Sequence, residues 1–474
     1  TSIAKNTLYL TVASVGQKVL AFVYFMFIAR VMKVDGTGAY FLSLSLTTIF
    51  SIVADFGLQP VIIREIAKGR EVGRLIKTVL GVKVPLMILA FLAVVTTSHL
   101  LGYDPLVQQL VLLAAVVMVL DSVSLTFYGI LRGQQLLKYE SVGVFVGQAL
   151  ILLFGGSVLY FAPSLPLLIV ALMIGSSFNA IFSLIMVLRR FGIQSLVPVW
   201  DNKFVKRVLR IALPFAMAGA FVKVYSYIDT IFLSQFIGES AVGIYAVAYK
   251  FTYAFQFLPL AFVAALYPGF SSLLVKDRKK VARLFEDSMW YMMLLATPIV
   301  LGIFSIADFI VINFVGMEFF DSILPLRILI FVLFFIFLDF PIGALLNAAD
   351  RQVTKTIIMG VTMVVNVILN LILIPIYGVI GATIAALGSF FVLFVAGLYF
   401  VPQIISWNPM RLFKRLLPIL ISGIIMAAVA LLLIPYMHTV VVIMVAALVY
   451  VALLFAFRAI SWKQVKQGLS LFKL

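Results

Sequence analysis

Two lysines, Lys18 and Lys223, stand in the middle of hydrophobic segments that read as copies of one another. Around the first the chain runs VGQKVLAFVYFMFIARVMKVDGTGAY, and around the second AFVKVYSYIDTIFLSQFIGESAVGIY. Lys18 aligns with Lys223, Gly38 with Gly243 and Tyr40 with Tyr245 without a gap, each pair 205 residues apart. An ammonium group at bilayer depth costs about 3 kcal/mol or more unless it lines water or meets a counter-charge. Two of them at equivalent depth point to a cavity on a pseudo-twofold axis. The chemistry such a cavity offers is anion binding.

Depth supports this reading. Lys18 lies 13 residues after Lys5 and 12 before Arg30, which puts it ~18–20 Å from either end of a helix and therefore near the midplane. Lys223 lies 13 residues beyond Arg210, and Lys250 sits about three turns in from Glu239. Lys223, Ser226, Tyr227, Thr230 and Ser234 share one helical face, and Tyr249, Lys250, Tyr253 and Gln256 are expected to form a second stripe. Polar stripes of this kind belong against water or protein, since lipid would leave them unpaired. The candidate binding residues are Lys18, Lys223 and Lys250 for an anion, with Tyr227, Tyr253 and Gln256 for hydroxyl-rich groups.

A second set is acidic: Asp55, Asp121, Asp229 and Asp339. Such residues serve as proton or cation sites or as hydrogen-bond partners between helices, and the sequence leaves both roles open. Asp229, about 120° around the helix from Lys223, is a possible neutraliser of Lys223 or Lys250. Asn366 and Asn370, one turn apart, read as interhelical hydrogen-bond partners. Arg30, Lys33 and Arg327 fall near an interface, where snorkelling explains them. No metal site is expected: the chain has no cysteine, and its two histidines, His99 and His438, are isolated in loops. No cofactor motif is present, and the absence of a GxxxxGK[ST] run speaks against a nucleotide-driven pump.

Positioning these groups requires membrane helices. Of the 474 residues 64% are hydrophobic and 11% charged, with a mean hydropathy of +1.21; a soluble globule needs about twice that charge. Unbroken apolar runs of helical spanning length recur throughout, with no strand-like alternation, so the expected fold is an all-α integral membrane protein of about fourteen transmembrane helices. Among them are 7–30, 39–63, 241–268 and 322–347. The first run is of full spanning length and contains Lys18, so no cleavable signal peptide is expected. Lysine and arginine concentrate in alternate loops, such as Arg64 to Lys77, Arg189 to Arg210, Lys276 to Arg283 and Arg411 to Arg415. The positive-inside rule makes these loops and both termini cytoplasmic. The net charge of +17 is thereby a topological bias toward anionic inner-leaflet lipid, not a nucleic-acid surface.

The longest polar connection, 191–210, divides a first lobe of six spans (1–190) from a second (211–404). Pro85 and Asp121 of the first resemble Pro298 and Asp339 of the second. Each lobe has an even number of spans, so the symmetry axis runs along the membrane normal. Residues 405–474 add two spans and a tail with no counterpart in the repeat.

The runs IFSIVADFGLQPVIIREIAKGR (49–70), IARVMKVDGTGAYFLSLSL and NAADRQVTKTIIMGVTMVVNVILNLILIPIYGVIGATIAALGS (347–389) resemble the polysaccharide-transporter family of the multidrug/oligosaccharidyl-lipid/polysaccharide exporter superfamily. The resemblance covers essentially the whole chain. It implies a flippase, not an enzyme, that carries a polyprenyl-diphosphate-linked oligosaccharide from the cytoplasmic to the outer leaflet of the cell (inner, cytoplasmic) membrane by alternating access, as a monomer among membrane lipids, with Na+ or H+ as a coupling ion or none. Lysine as a point charge suits a diphosphate that must be released again. The resemblance also implies that spans thirteen and fourteen flank a groove for the polyprenyl tail. A lipid II flippase of this superfamily would carry arginines where these lysines stand. The alternatives are a multidrug or cation antiporter of the same superfamily, which would need an acidic midplane site, and a polysaccharide polymerase or glycosyltransferase. The latter would need a sizeable outer loop rich in acids, Arg or His; the longest here, near 309–321, is short and apolar.

Overall fold

Backbone inside hydrocarbon has no water to bond, so apolar runs of this length satisfy their N–H and C=O groups as helices. The computed structural model bears this out. It describes residues 3–69 and 71–460, with side chains for all of these except 3–12, 261, 263–265, 267, 268 and 275. The helices are α1 (Ile3–Asp55), α2 (Leu58–Ala67), α3 (Val72–Leu100), α4 (Pro105–Gly133), α5 (Leu137–Phe161), α6 (Leu165–Phe191), α7 (Asn202–Phe236), α8 (Glu239–Tyr253), α9 (Phe257–Lys276), α10 (Arg278–Ser305), α11 (Ala307–Ile310), α12 (Ile323–Leu329), α13 (Val332–Ala348), α14 (Gln352–Phe400), α15 (Pro409–Leu433) and α16 (Thr439–Ala456). Among the described residues there is no strand, and eleven helical stretches are long and apolar enough to cross a membrane.

The termini follow local chemistry. Prolines open α4 and α15, where the missing N–H is lost at no cost. The Asp201 side chain caps α7 by accepting from the amides of Lys203 and Phe204, and Asp277 caps α10 through Lys279 and Lys280. Two helices are too long for one crossing. The 53 residues of α1 would extend ~80 Å as a straight rod, and the helix breaks at Lys33, whose φ is 61°. The 49 residues of α14 break at Gly378, with φ 57°.

Two expected spans are interrupted. The segment 39–63 stops at Asp55, where Phe56 and Gly57 take positive φ before α2 begins. The segment 241–268 breaks after Tyr253, where residues 254–256 form a 3-10 turn. Gln256 therefore leaves the helical face that carries Tyr249 and Lys250, because a 3-10 turn advances three residues per turn and not 3.6.

The helices pack as two compact units, Thr1–Lys250 with Met359–Ala385, and Phe251–Ile358 with Ala386–Leu474. In the first unit α1 packs against α3, α4, α5 and α7, while α4 and α5 pack on α6. The α2 helix buries Leu58, Val61, Ile62 and Ile66, one face by their spacing, against α3, α4 and α7. Also in this unit, the stretch just past the Lys33 break meets the first turn of α8 with backbone against backbone. A Cβ on Gly38 would lie 2.0 Å from the Glu239 carbonyl oxygen, and a Cβ on Gly243 would lie 2.1 Å from the Val34 carbonyl oxygen. Ser240 donates to Asp35 at the same place. In the second unit α10 packs against α13, α15 and α16. Gly423 of α15 lets Thr297 of α10 approach, since a Cβ there would sit 2.2 Å from the threonine methyl.

Candidate functional site

A cavity of ≈ 420 Å³ opens within the first unit. Its polar wall comes from α1 (Gln17, Ser45, Thr48, Ser51, Asp55), α4 (Asp121, Ser122), α5 and α6 (Gln148, Ser176, Asn179), α7 (Lys223, Tyr227) and α8 (Lys250). Glycines in α5 make room for part of it. Tyr128 donates to Asn179 at 2.8 Å across the position of Gly143, where a Cβ would strike the Tyr128 hydroxyl.

The charged groups are arranged in a definite order. The Asp55 carboxylate accepts from Lys83 Nζ at 2.7 Å and from Ser122 Oγ at 2.7 Å on one oxygen. Its other oxygen lies 4.0 Å from Lys223 Nζ, and Lys223 also donates to Ser51. The Lys83 side chain is only 4% exposed, so it is locked behind Asp55, whereas Lys223 at 29% faces the cavity. Lys250 Nζ lies 5.1 Å from the Phe25 ring centre and 5.4 Å from that of Phe41. Lys250 is held by ring faces, a cation–π arrangement, with no carboxylate paired to it among the described residues. Lys223 and Lys250 thus share the wall with Asp55 and Asp121, and Asp121 lies near enough to Asp55 to feel its charge.

The sequence candidates divide accordingly. Lys223, Lys250, Tyr227, Asp55 and Asp121 line one cavity. Lys18 is exposed and is not part of that wall, although its neighbour Gln17 is. The neutralising role considered for Asp229 is not realised: Asp229 is buried, accepts from the Tyr245 hydroxyl, and leaves its second oxygen without a partner. Tyr245 comes from the next helix, α8, and takes the carboxylate first. Tyr253 and Gln256 belong to the second unit, where Tyr253 meets Phe390 with ring centres 6.2 Å apart. Asp339 is also in the second unit; Lys355, which reaches against Gly343 one turn along, is the charge it faces. Asn366 and Asn370 are fully buried and bond to each other along α14, at 2.9 Å to the backbone and 3.1 Å to the side chain.

Sequence reading missed Lys83. It lies six residues past Lys77 near the start of a span, where a lysine reads as snorkelling toward headgroups. A signal was present in ADFGL, whose aspartate at a helix end needs a cation of its own. Outside the spans, Asp201 is held below the usual carboxylate range by Arg74, which bonds it at 2.5 Å, and by the amides of Phe204 and Lys203. The amides of Lys280 and Lys279 lower Asp277 in the same way.

Residues 3–274 match the family model described as "Polysaccharide biosynthesis protein". The chain belongs to this family. Residues 214–372 also match the MatE family, consistent with the multidrug/oligosaccharidyl-lipid/polysaccharide exporter superfamily. Among curated proteins it is 24% identical over 408 residues to the probable low-salt glycan biosynthesis flippase Agl15 of Haloferax volcanii, covering 85% of this chain and 84% of that one. It is 34% identical to the probable flippase AglR of the same organism over 173 residues, 35% of each chain. Its fold is similar to that of the lipid II flippase MurJ in an inward closed conformation, with TM-score 0.76, 16% identity and coverage of 95% of this chain and 98% of that one. It is also similar to an inward-facing MATE multidrug transporter, with TM-score 0.64, 14% identity and coverage of 84% and 96%.

Proposed function

We propose that the protein is a flippase for a polyprenyl-diphosphate-linked oligosaccharide, moving its head group from the cytoplasmic to the outer leaflet of the cell membrane by alternating access. The observation that carries this reading is the cavity lined by Lys223 and Lys250 together with Tyr227, serines, threonines and amides, in a chain of the polysaccharide biosynthesis family. Ammonium groups offset diphosphate charge, and hydroxyl and amide groups exchange hydrogen bonds with sugars. No bond is made or broken. The polyprenyl tail remains in lipid and rests in an apolar pocket of ≈ 300 Å³ in the second unit, bounded by α10, α15 and α16 and lined by Ile299, Ile303, Met426, Ala446 and Tyr450. Two six-span lobes, fourteen crossings, cytoplasmic termini and a monomeric state belong to the same proposal. The count rests on the breaks in α1 and α14 and on the α8–α9 pair. Asp55, Asp121, Asp229 and Asp339 remain the places where Na+ or H+ would couple.

Asp55 and Asp121 in the cavity wall favour a second reading, a cation antiporter. The two separate in one experiment on proteoliposomes. A flippase moves a fluorescent polyprenyl-diphosphate oligosaccharide to the protected leaflet, and Lys223→Ala and Lys250→Ala each lose that movement while still inserting into the membrane. Ethidium efflux down a proton gradient without lipid movement would replace the flippase reading with the antiporter.

A further inference from the structure

The flippase reading leaves one feature unexplained: a cavity that binds an anion keeps a carboxylate, Asp55, against its own lysine. The Asp55 carboxylate is divided between two cations. Lys83 and Ser122 hold one oxygen at 2.7 Å each, and the other points toward Lys223 at 4.0 Å. Lys83 is sealed in protein while Lys223 faces the open volume. Any incoming phosphate must therefore compete with Asp55 for Lys223, and it meets no such competitor at Lys250, which sits over two phenyl rings.

We propose that Asp55 is a resident counter-anion that sets a charge threshold for the ligand, and that Lys83 is the positioning residue that fixes the height of the threshold. The proposal rests on the flippase reading and extends it to specificity. A ligand with one negative charge, such as the phosphodiester of an ordinary phospholipid, only trades places with Asp55 at Lys223 and gains little. A diphosphate brings enough charge to engage Lys223 and Lys250 together while Asp55 falls back wholly on Lys83. The surrounding bilayer is made of monoanionic and zwitterionic phosphodiesters in great excess, so a lysine pair with no guard would be occupied by them. By holding Asp55 away from Lys223, Lys83 keeps the threshold low enough for a diphosphate to cross. Without Lys83 the whole carboxylate would fall to Lys223, since a buried charge left without its partner takes the nearest one.

The test uses the full chain in detergent with two probes, inorganic diphosphate and dimethyl phosphate, the latter standing for a phosphodiester, their affinities measured at low and at high salt. Asp55→Asn is expected to strengthen dimethyl phosphate binding at least tenfold and diphosphate binding by less, so the selectivity ratio falls. Lys83→Met is expected to weaken both probes at least tenfold, Lys83→Arg to keep wild-type values, and the double variant to behave as Asp55→Asn alone. An unchanged selectivity ratio in Asp55→Asn would overturn the proposal. So would an equal loss from Lys83→Met in the Asp55→Asn background, which would mean that Lys83 touches the ligand itself. If Lys83→Met fails to fold, Asp55→Asn against wild type decides the matter. If the wild type binds neither probe, the flippase reading fails, and a ligand-free measurement still judges Asp55: acylation of Lys223 by acetic anhydride, read by mass spectrometry. The rate is expected to fall at least threefold in Lys83→Met and to rise in Asp55→Asn, because an ammonium paired with carboxylate gives up its proton less readily; equal rates would refute the shared-carboxylate arrangement.

Discussion

Lys250→Met separates binding from stability, because the two are expected to move in opposite directions. In the folded protein the ammonium lies 5.1 and 5.4 Å from two ring centres and has no carboxylate among the described residues. Each cation–π contact contributes about 0.5–2 kcal/mol. Holding an ammonium where it is largely stripped of water costs several kcal/mol. Methionine fills nearly the same space and recovers ~0.3–1.5 kcal/mol per ring through its sulfur. The balance predicts a thermal midpoint equal to or above that of the wild type. For a diphosphate ligand the lost charge-assisted hydrogen bond is worth about 1.5–3 kcal/mol, a weakening of roughly 10- to 150-fold. The assay pairs a thermal unfolding scan with titration of inorganic diphosphate on the same preparation. The same change at Lys83 strands Asp55 and is expected to cost about 3–5 kcal/mol of stability. A clear fall in the midpoint of Lys250→Met with unchanged diphosphate affinity would refute the reasoning, since it would make Lys250 a structural ion and not a ligand group.

Truncation after Pro409 removes α15 and α16 and is expected to leave diphosphate affinity unchanged while weakening binding of the full polyprenyl lipid, read by competition; equal lipid affinity would remove the groove from the account. Gly423→Leu forces side-chain atoms onto Thr297, where even a Cβ would come within 2.2 Å, and should cost about 1–3 kcal/mol in thermal or denaturant unfolding. Asp201 and Asp277 titrate below their unfolded values, so the capping stability they contribute is fully present above the ordinary carboxylate range. It is lost as pH falls through their lowered folded values. Asp201→Asn and Asp277→Asn should therefore lower stability at neutral pH, flatten the acid limb of the unfolding profile and converge with the wild type at low pH.

The helical membrane fold was legible because runs of twenty apolar residues admit few other solutions in lipid. The interruptions were not. Neither Phe56–Gly57 nor residues 254–256 carries a proline, and a glycine among apolar residues does not announce a left-handed turn. Lys223, Lys250 and Tyr227 were legible as neighbours because a polar group deep in an apolar run has few places to go, and they share a cavity wall. Their partners were harder to read. Same-helix proximity offered Asp229 as one counter-ion, whereas the carboxylate that meets Lys223 comes from the far end of α1. Lys83 was hidden because depth along a span says nothing about whether a neighbouring helix end brings an acid to it.

The meeting of Val34–Gly38 with Glu239–Gly243 has a property that its distances alone do not express. Each contact has a mirror: Gly38 touches Glu239 as Gly243 touches Val34, and Asp35 meets Ser240, the residue 205 places on from itself. Reciprocity of this kind is how two identical subunits touch across a dyad, where residue i meets j and j meets i. Within a single polypeptide these few residues reproduce the reciprocity of such a contact. At the two glycines a side chain would strike the facing carbonyl, and only a residue with none lets both backbones close. The 205-residue repeat is thus recorded twice, once as spacing in the sequence and once as a seam where the polypeptide meets its own copy.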